Sequence, residues 1–332
     1  MIRMQIIGFF NTDTGGPRWG DATIFTDDKG NADVIDGYCG IGTTRLISTL
    51  KKRGIKSPYL HITHAHYDHY YGIRRIINLK ENDQYVFTPR ALYCYDPDSL
   101  GDVSGDVKSE KKALKAIIAE AKARKISVVY LHDGNDITHG DIHFVVHRSQ
   151  PGYKGNSDAY LNDGSLCYWF PELRYLTTGD AETHVSDFAP VFVKIGHHGN
   201  ACPRTEATWL KNHGCLYCWD NDYSTTLTDF LQTGREDCIA VGMKYLSCHG
   251  DINAIWFGKR AVIYKGSQIY RYDCTYNGKP SITKPVDLAV VKGVLKGDYG
   301  NGDARISALL NASLNPGVVQ KEINEMIKLL KG

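Results

Sequence analysis

The sequence predicts an α/β chain: a four-layer αββα sandwich followed by a small three-helix module. Strand-like and helix-like patterns alternate in two successions. Each cluster of histidine and aspartate falls just past a strand-like run, where loops on a rigid sheet build sites. A polar stretch with Gly278, Pro280 and Pro285 then separates a β-rich segment from three helical patterns. The expected division is a domain over residues 1–274, a linker over 275–285 and a helical module over 286–332.

At 332 residues, one large domain plus a small one is the natural division, and 42% hydrophobic residues suffice for a full core. The formal net charge of +2 demands neither nucleic acid nor an anionic membrane. No apolar run approaches the ~20 residues of a membrane span, so no membrane partner is expected. Residues 1–10 carry one basic residue and then apolar ones. Gln5 interrupts them and Asn11-Thr12-Asp13 follows without a small-residue cleavage site, so a first strand is expected and not an export signal. The nine cysteines, scattered from Cys39 to Cys274, read as reduced thiols in a cytoplasmic setting. Cys215 and Cys218 have zinc-ribbon spacing but no second pair, and read as small buried hydrophobes. No pattern sets the oligomeric state.

Residues 2–10, 21–26 and 32–35 read as the opening strands, with the turn Asp27-Asp28-Lys29-Gly30-Asn31 between the last two. Asp36 ends the third and reads as a turn residue; the family resemblance set out below equally implies a support that orients a ligand histidine. Residues 43–52 have helical spacing, a Thr start and Gly54 as a stop. Short strands are expected at 59–63 and 85–88. An amphipathic helix follows over 108–124, with Leu114, Ile117, Ile118 and Ala121 on one face and a solvated Lys/Glu face opposite. Further strands are expected at 126–131, 142–146, 166–170, 174–177, 191–195, 251–257, 261–264 and 268–272.

The chemistry concentrates in Thr63-His64-Ala65-His66-Tyr67-Asp68-His69. His64 and His66 are two apart, so on extended chain they share a face. Asp68 and His69 follow at a turn, within reach of a second metal. Imidazole and carboxylate suit Zn²⁺, with Mn²⁺ or iron as alternatives.

His-x-His-x-Asp-His after a short strand resembles the signature of the metallo-β-lactamase superfamily. That family implies a bridging Asp at the end of a later strand and a further His beyond it. Thr177-Thr178-Gly179-Asp180 and Lys194-Ile195-Gly196-His197-His198-Gly199-Asn200 supply both, and look most like the hydrolase domain of DNA-uptake (competence) proteins. Teichoic-acid phosphorylcholine esterases share the superfamily fold. The resemblance implies two divalent ions: His64 and His66 on one, Asp68 and His69 on the other, Asp180 bridging, and His198 or His197 completing the second. His198 is preferred, leaving His197 to hydrogen-bond substrate. The first metal usually takes a third histidine, yet residues 156–166 contain none. His147 is the nearest upstream candidate; His132, His139 and His143 read as surface or core.

Between two such ions a bridging water would become the nucleophile, with Asp68 and His198 as the catalytic residues. No P-loop or Ser-His-Asp arrangement competes. The tail, with Gly297-Asp298-Tyr299-Gly300-Asn301-Gly302-Asp303-Ala304-Arg305 and then Val319-Gln320, looks like the small cell-wall-binding repeat of phage lysozymes and endolysins. The expected function is therefore a metal-dependent phosphodiesterase or esterase on a Gram-positive wall polymer. A phage-type route of release from the cytoplasm to the wall fits that reading. A competence-type nuclease or nucleotide phosphodiesterase, with nucleic acid as partner, is the alternative. A catalytically weak wall-binding protein is a third.

Overall fold

The computed structural model describes all residues except 9–19, 149–157, 182–184, 200–203, 220–243, 248–249, 266–267, 275–287, 313, 315 and 332. The first half builds strands β1 (Ile2–Ile6), β2 (Thr23–Asp27) and β3 (Ala32–Ile35), helix α1 (Gly40–Lys52), strand β4 (Tyr59–His61) and helix α2 (Tyr67–Asn78). The short pair β5 (Lys80–Glu81) and β6 (Gln84–Tyr85), strand β7 (Ala91–Cys94), helix α3 (Gly105–Ala123) and strand β8 (Ser127–Tyr130) complete it. The second half runs β9 (Asp136–His139), β10 (Ile142–Arg148), α4 (Asp158–Asp163), β11 (Leu166–Phe170), β12 (Tyr175–Thr177) and β13 (Phe192–Lys194). It continues with α5 (Arg204–Asn212), β14 (Leu216–Trp219), β15 (Lys244–Ser247), β16 (Ile252–Phe257), β17 (Arg260–Lys265) and β18 (Gln268–Asp273). Helices α6 (Leu288–Lys296), α7 (Gly302–Asn311) and α8 (Pro316–Lys331) end the chain.

Two mixed sheets result, of nine strands (β18-β17-β16-β1-β2-β3-β4-β7-β8) and seven (β15-β14-β13-β12-β11-β10-β9). The change from antiparallel to parallel pairing has a covalent cause. From β3 onward the strands of the first sheet are joined through α1, α2 and α3, and a helical crossover returns the chain parallel. Strands covered on both faces carry continuous apolar runs: β3, β7, β12 and β13 are buried at every residue. The late strand β16 returns to pair antiparallel with β1, with Met4 opposite Ala254.

The sheets meet over an aromatic core. Phe25 of the first stacks on Phe170 of the second at 4.5 Å, with Tyr175 and Trp256 beside them. Such pairs add about 0.5–1.5 kcal/mol each beyond the area they bury. Two polar ties cross the same interface. Asp33 of β3 accepts from His61 Nε2 at 2.8 Å and from His139 Nδ1, on the opposite sheet, at 2.6 Å. Tyr93 Oη lies 2.9 Å from His139 Nε2. Lys194 of β13 pairs with Asp21, both buried. The last three helices share a separate small core of Val291, Val294, Leu309, Val319 and Ile323.

Several expectations shift. The first strand ends at Ile6, and residues 9–10 lie outside the described region. The two expected helices begin earlier, at Gly40 and Gly105, because each is entered from an extended cap residue, Cys39 and Ser104. Of 85–88 only Tyr85 is strand. Asp68 and His69, read as lying at a turn, sit in the first turn of α2, a helix not expected from the sequence, whose buried face is His69, Tyr70, Gly72, Ile73, Ile76 and Ile77. The expected linker 275–285 lies outside the described residues. The six described free cysteines are all buried, and burial pushes the thiols of Cys39, Cys94, Cys215 and Cys274 up to about 12. Among the described residues no helix is long and apolar enough to cross a membrane.

Candidate metal centre

Each candidate ligand leaves the C-terminal end of a parallel strand or starts the helix that follows. Strand β4 runs into Thr63, His64 and His66; α2 begins there and carries Asp68 and His69 in its first turn. Strand β12 leads through Thr178 and Gly179 to Asp180, and β13 leads to His197 and His198.

Asp180 lies at the centre. Its Oδ2 is 3.5 Å from His64 Nε2 and 3.8 Å from His198 Nε2, and its Oδ1 is 3.3 Å from His69 Nε2. On one side His66 Nδ1 lies 2.8 Å from His64 Nε2. On the other, Asp68 Oδ2 lies 3.0 Å from His198 Nε2 and 3.9 Å from His69 Nε2. Two triads thus form, His64–His69–Asp180 and Asp68–His69–His198, each with its ligand atoms within 4.8 Å of one another. The expected ligands His64, His66, Asp68, His69, Asp180 and His198 come together. The ring of His197 turns aside: its backbone N–H donates to Asp180 Oδ1 at 3.1 Å, while Nε2 lies 3.5 Å from Asn162 Nδ2. His147 is elsewhere, half-buried on β10 with Nδ1 3.6 Å from Asp133 and its ring against Phe188. His143 lies between Glu172 and Asp136.

The surroundings fix which nitrogen faces inward. Asp36, wholly buried, accepts from the Thr63 backbone N–H at 2.8 Å and from Thr63 Oγ1 at 2.7 Å. With its proton given to Asp36, Thr63 Oγ1 accepts from His64 Nδ1 at 3.1 Å, so the lone pair of His64 Nε2 points into the cluster. Asp36 Oδ2 accepts from His69 Nδ1 at 2.9 Å and turns His69 Nε2 inward, where it is buried without a well-formed hydrogen bond. Asp36 also has φ 60°, so it is at once the turn residue and the support. His197 and His198 both sit in the left-handed region, at φ 48° and 53°. Such strain costs on the order of 1–3 kcal/mol per residue and gathers at functional sites.

The electrostatics match this donor set. Burial and the neighbouring His69 hold His64 well below its ordinary pKa, as a neutral imidazole. Burial works to lower His69, but Asp180, Asp36 and Asp68 outweigh it and hold His69 well above. Burial works to raise Asp180, yet His69, His198 and His64 keep it ionised, well below the carboxylate range. A proton on His69 thus supplies positive charge that a divalent cation would supply better. Inward nitrogens, two ionised carboxylates and an orphaned buried atom fit bound divalent metal, and nitrogen and oxygen donors suit Zn²⁺, Mn²⁺ or iron.

The cluster opens into a cavity of about 560 Å³. Asn162, Asp106 and Glu110 line it; Asn162 belongs to the Asn-x-x-Ser pattern that the competence-type resemblance implies here, whereas Asp106 and Glu110 were given no role from the sequence. Asp106 lay before the expected helix start. Glu110 fell on a face read as solvated, and the i, i+4 spacing of the two was the available signal.

Residues 289–327 match the CW_7 repeat. The chain is also similar to solved structures at low identity. The metallo-β-lactamase fold protein YhfI from Bacillus subtilis aligns at 12% identity over 76% of this chain and 99% of that one, with a TM-score of 0.46. BLEG-1 B3 metallo-β-lactamase aligns at 20% identity over 53% and 71%, with a TM-score of 0.32. Rubredoxin oxygen:oxidoreductase from Desulfovibrio gigas aligns at 14% over 63% and 47%, with a TM-score of 0.35. No curated protein matches the sequence. With its two mixed sheets, flanking helices and a buried His/Asp cluster at the strand ends, the chain has the metallo-β-lactamase fold and carries a C-terminal CW_7 repeat.

Proposed function

We propose that this chain is a metal-dependent hydrolase of a cell-wall polymer, cleaving phosphodiester or ester bonds of the phosphorylcholine or teichoic-acid type. The observation that carries the reading is Asp180, placed between the histidine groups with Oδ2 near His64 and His198 and Oδ1 near His69. His64, His66 and Asp180 would hold one ion, and Asp68, His69, His198 and Asp180 the other. Bound divalent metal, Zn²⁺ first among the candidates, supplies Lewis acidity and lowers the pKa of water toward neutrality. The protein's own part is to present inward nitrogens, to keep Asp68 and Asp180 ionised, and to offer His197 and Asn162 toward substrate in the cavity. The CW_7 repeat suggests cell-wall binding, and supports an insoluble polymer as target.

The nuclease reading ranks lower on one observation. The CW_7 repeat suggests cell-wall binding, which a nuclease or nucleotide phosphodiesterase would not need. The test is hydrolysis of bis-p-nitrophenyl phosphate by metal-loaded protein near neutral pH. Turnover should vanish with chelator, fall about 100-fold or more in Asp68→Ala, and exceed turnover of nitrocefin. Efficient opening of nitrocefin with every phosphodiester ignored would overturn the proposal.

A further inference from the structure

The ligands of the metal centre form two groups, one on each sheet. His64, His66, Asp68 and His69 follow β4 of the nine-stranded sheet, while Asp180 and His198 follow β12 and β13 of the seven-stranded one. Each group is tied within itself. In the first, Asp36 accepts from Thr63 and His69. In the second, the His197 backbone N–H donates to Gly179 O and Asp180 Oδ1, both at 3.1 Å. Each metal position draws on both groups, so the placement of one sheet on the other sets its geometry. Beside His64 a backbone bond holds that placement: the Leu166 N–H, at the start of β11, donates to Thr63 O at 2.9 Å. Beside Asp68 and His69 a charged pair holds it. Lys194 ends β13, the strand that leads to His198, and donates to the Asp21 carboxylate. Both side chains are buried, at 1% and 3% exposure. The Asp21 backbone N–H donates to Asp68 O at 3.3 Å. A carboxylate oxygen of Asp21, one of Asp36 and a ring nitrogen of His69 lie within 4.8 Å of one another.

We propose that Asp21 and Lys194 are positioning residues for the second metal position: their pairing sets the distance from Asp68 and His69 to His198. This rests on the dinuclear reading of the centre. A buried ion pair is a weak source of stability, because taking both charges out of water offsets most of their attraction. Its effect on placement is stronger. A slide of one sheet along the other would part the ammonium from the carboxylate and leave two unpaired buried charges, which is costly. One placement is thereby selected, and it is the one that faces His198 toward Asp68. The first position, made by His64, His66 and Asp180, has the Thr63–Leu166 bond beside it and is independent of the pair.

The experiment compares three full-length proteins: the wild type, Lys194→Met, and Asp21→Asn combined with Lys194→Met. The single variant leaves a buried carboxylate unpaired and should unfold at lower urea concentration. The double variant has no charge at either place and should regain most of that stability. Metal binding should not return with it. Zn²⁺ titrated against a competing chelator should fill two positions in the wild type. In the double variant one ion should bind as in the wild type, and the other about 10–100-fold more weakly. Wild-type affinity for both ions in the double variant would overturn the proposal. So would equal weakening of both, which marks a general loosening of the centre and not the placement of one position. A wild-type chain that takes up a single ion would instead overturn the dinuclear reading, and this proposal with it.

Discussion

Asp36 illustrates how much one side chain controls at this site. It receives three hydrogen bonds, two from Thr63 and one from His69, and through them aims two ligand nitrogens. Asp36→Asn replaces one acceptor oxygen with a donor and should lower metal affinity about 10–100-fold while the protein still folds. Metal titration with a competing chelator measures it; unchanged affinity would reduce Asp36 to a turn residue. Asp180→Ala should lower metal content at both positions, read by elemental analysis, because its two oxygens face different histidines. The contiguous run from His64 to His69 was legible because its spacing is local. Asp106 and Glu110 were not, because they reach the cavity beside the cluster only when α3 packs.

At the scale of elements, α2 holds the lesson. Its sequence opens Tyr67-Asp68-His69-Tyr70-Tyr71, which gives little helical periodicity until Ile73, Ile76 and Ile77. Tertiary contact decides it: a methyl on Gly72 would meet Gly37 O at 1.7 Å, so helix and turn approach backbone to backbone. That approach seats Asp68 and His69 beside Asp36. Gly72→Ala should therefore destabilise by about 3 kcal/mol, the upper end of overpacking costs, and should weaken metal binding as well. Urea unfolding with and without chelator tests both. The parallel strands were mostly visible as apolar runs, but β7 and β14 are four residues each, too short for a pattern to stand out.

For the whole molecule, the Asp33 tie makes the docking of the sheets sensitive to acid. Burial, opposed by Asp33, holds His61 below its ordinary pKa. Burial would raise Asp33, but hydrogen bonds from His139 and His61 hold it below the carboxylate range. Both groups bind protons more weakly folded than unfolded. Their stabilisation is therefore complete above the unfolded pKa values, about 6.5 and about 3.9, and is lost as pH falls through the folded ones. Melting temperature should drop from about pH 7 to about pH 5, and less steeply in His61→Gln; equal slopes would remove His61 from the account. At the other end of the chain, the separate core of the last three helices predicts a module that holds wall material by itself. Protein truncated at residue 285 should keep its activity on soluble diesters and lose retention on purified sacculi. Equal retention would make the helices a cap. The module was legible as a pattern, whereas the nine-stranded sheet was not: β16 beside β1 spans the whole first domain, and no local signal encodes that pairing.

The buried thiols have a consequence for travel. With burial pushing their thiols up to about 12, Cys39, Cys94, Cys215 and Cys274 stay protonated at neutral pH, and thiolate is the form that reacts with oxidants and attacks disulfides. The folded domain can thus pass from a reducing compartment to an oxidising one without those four sulfurs cross-linking. A protein made inside a cell and working on its outside would need that chemical indifference, whatever route carries it there.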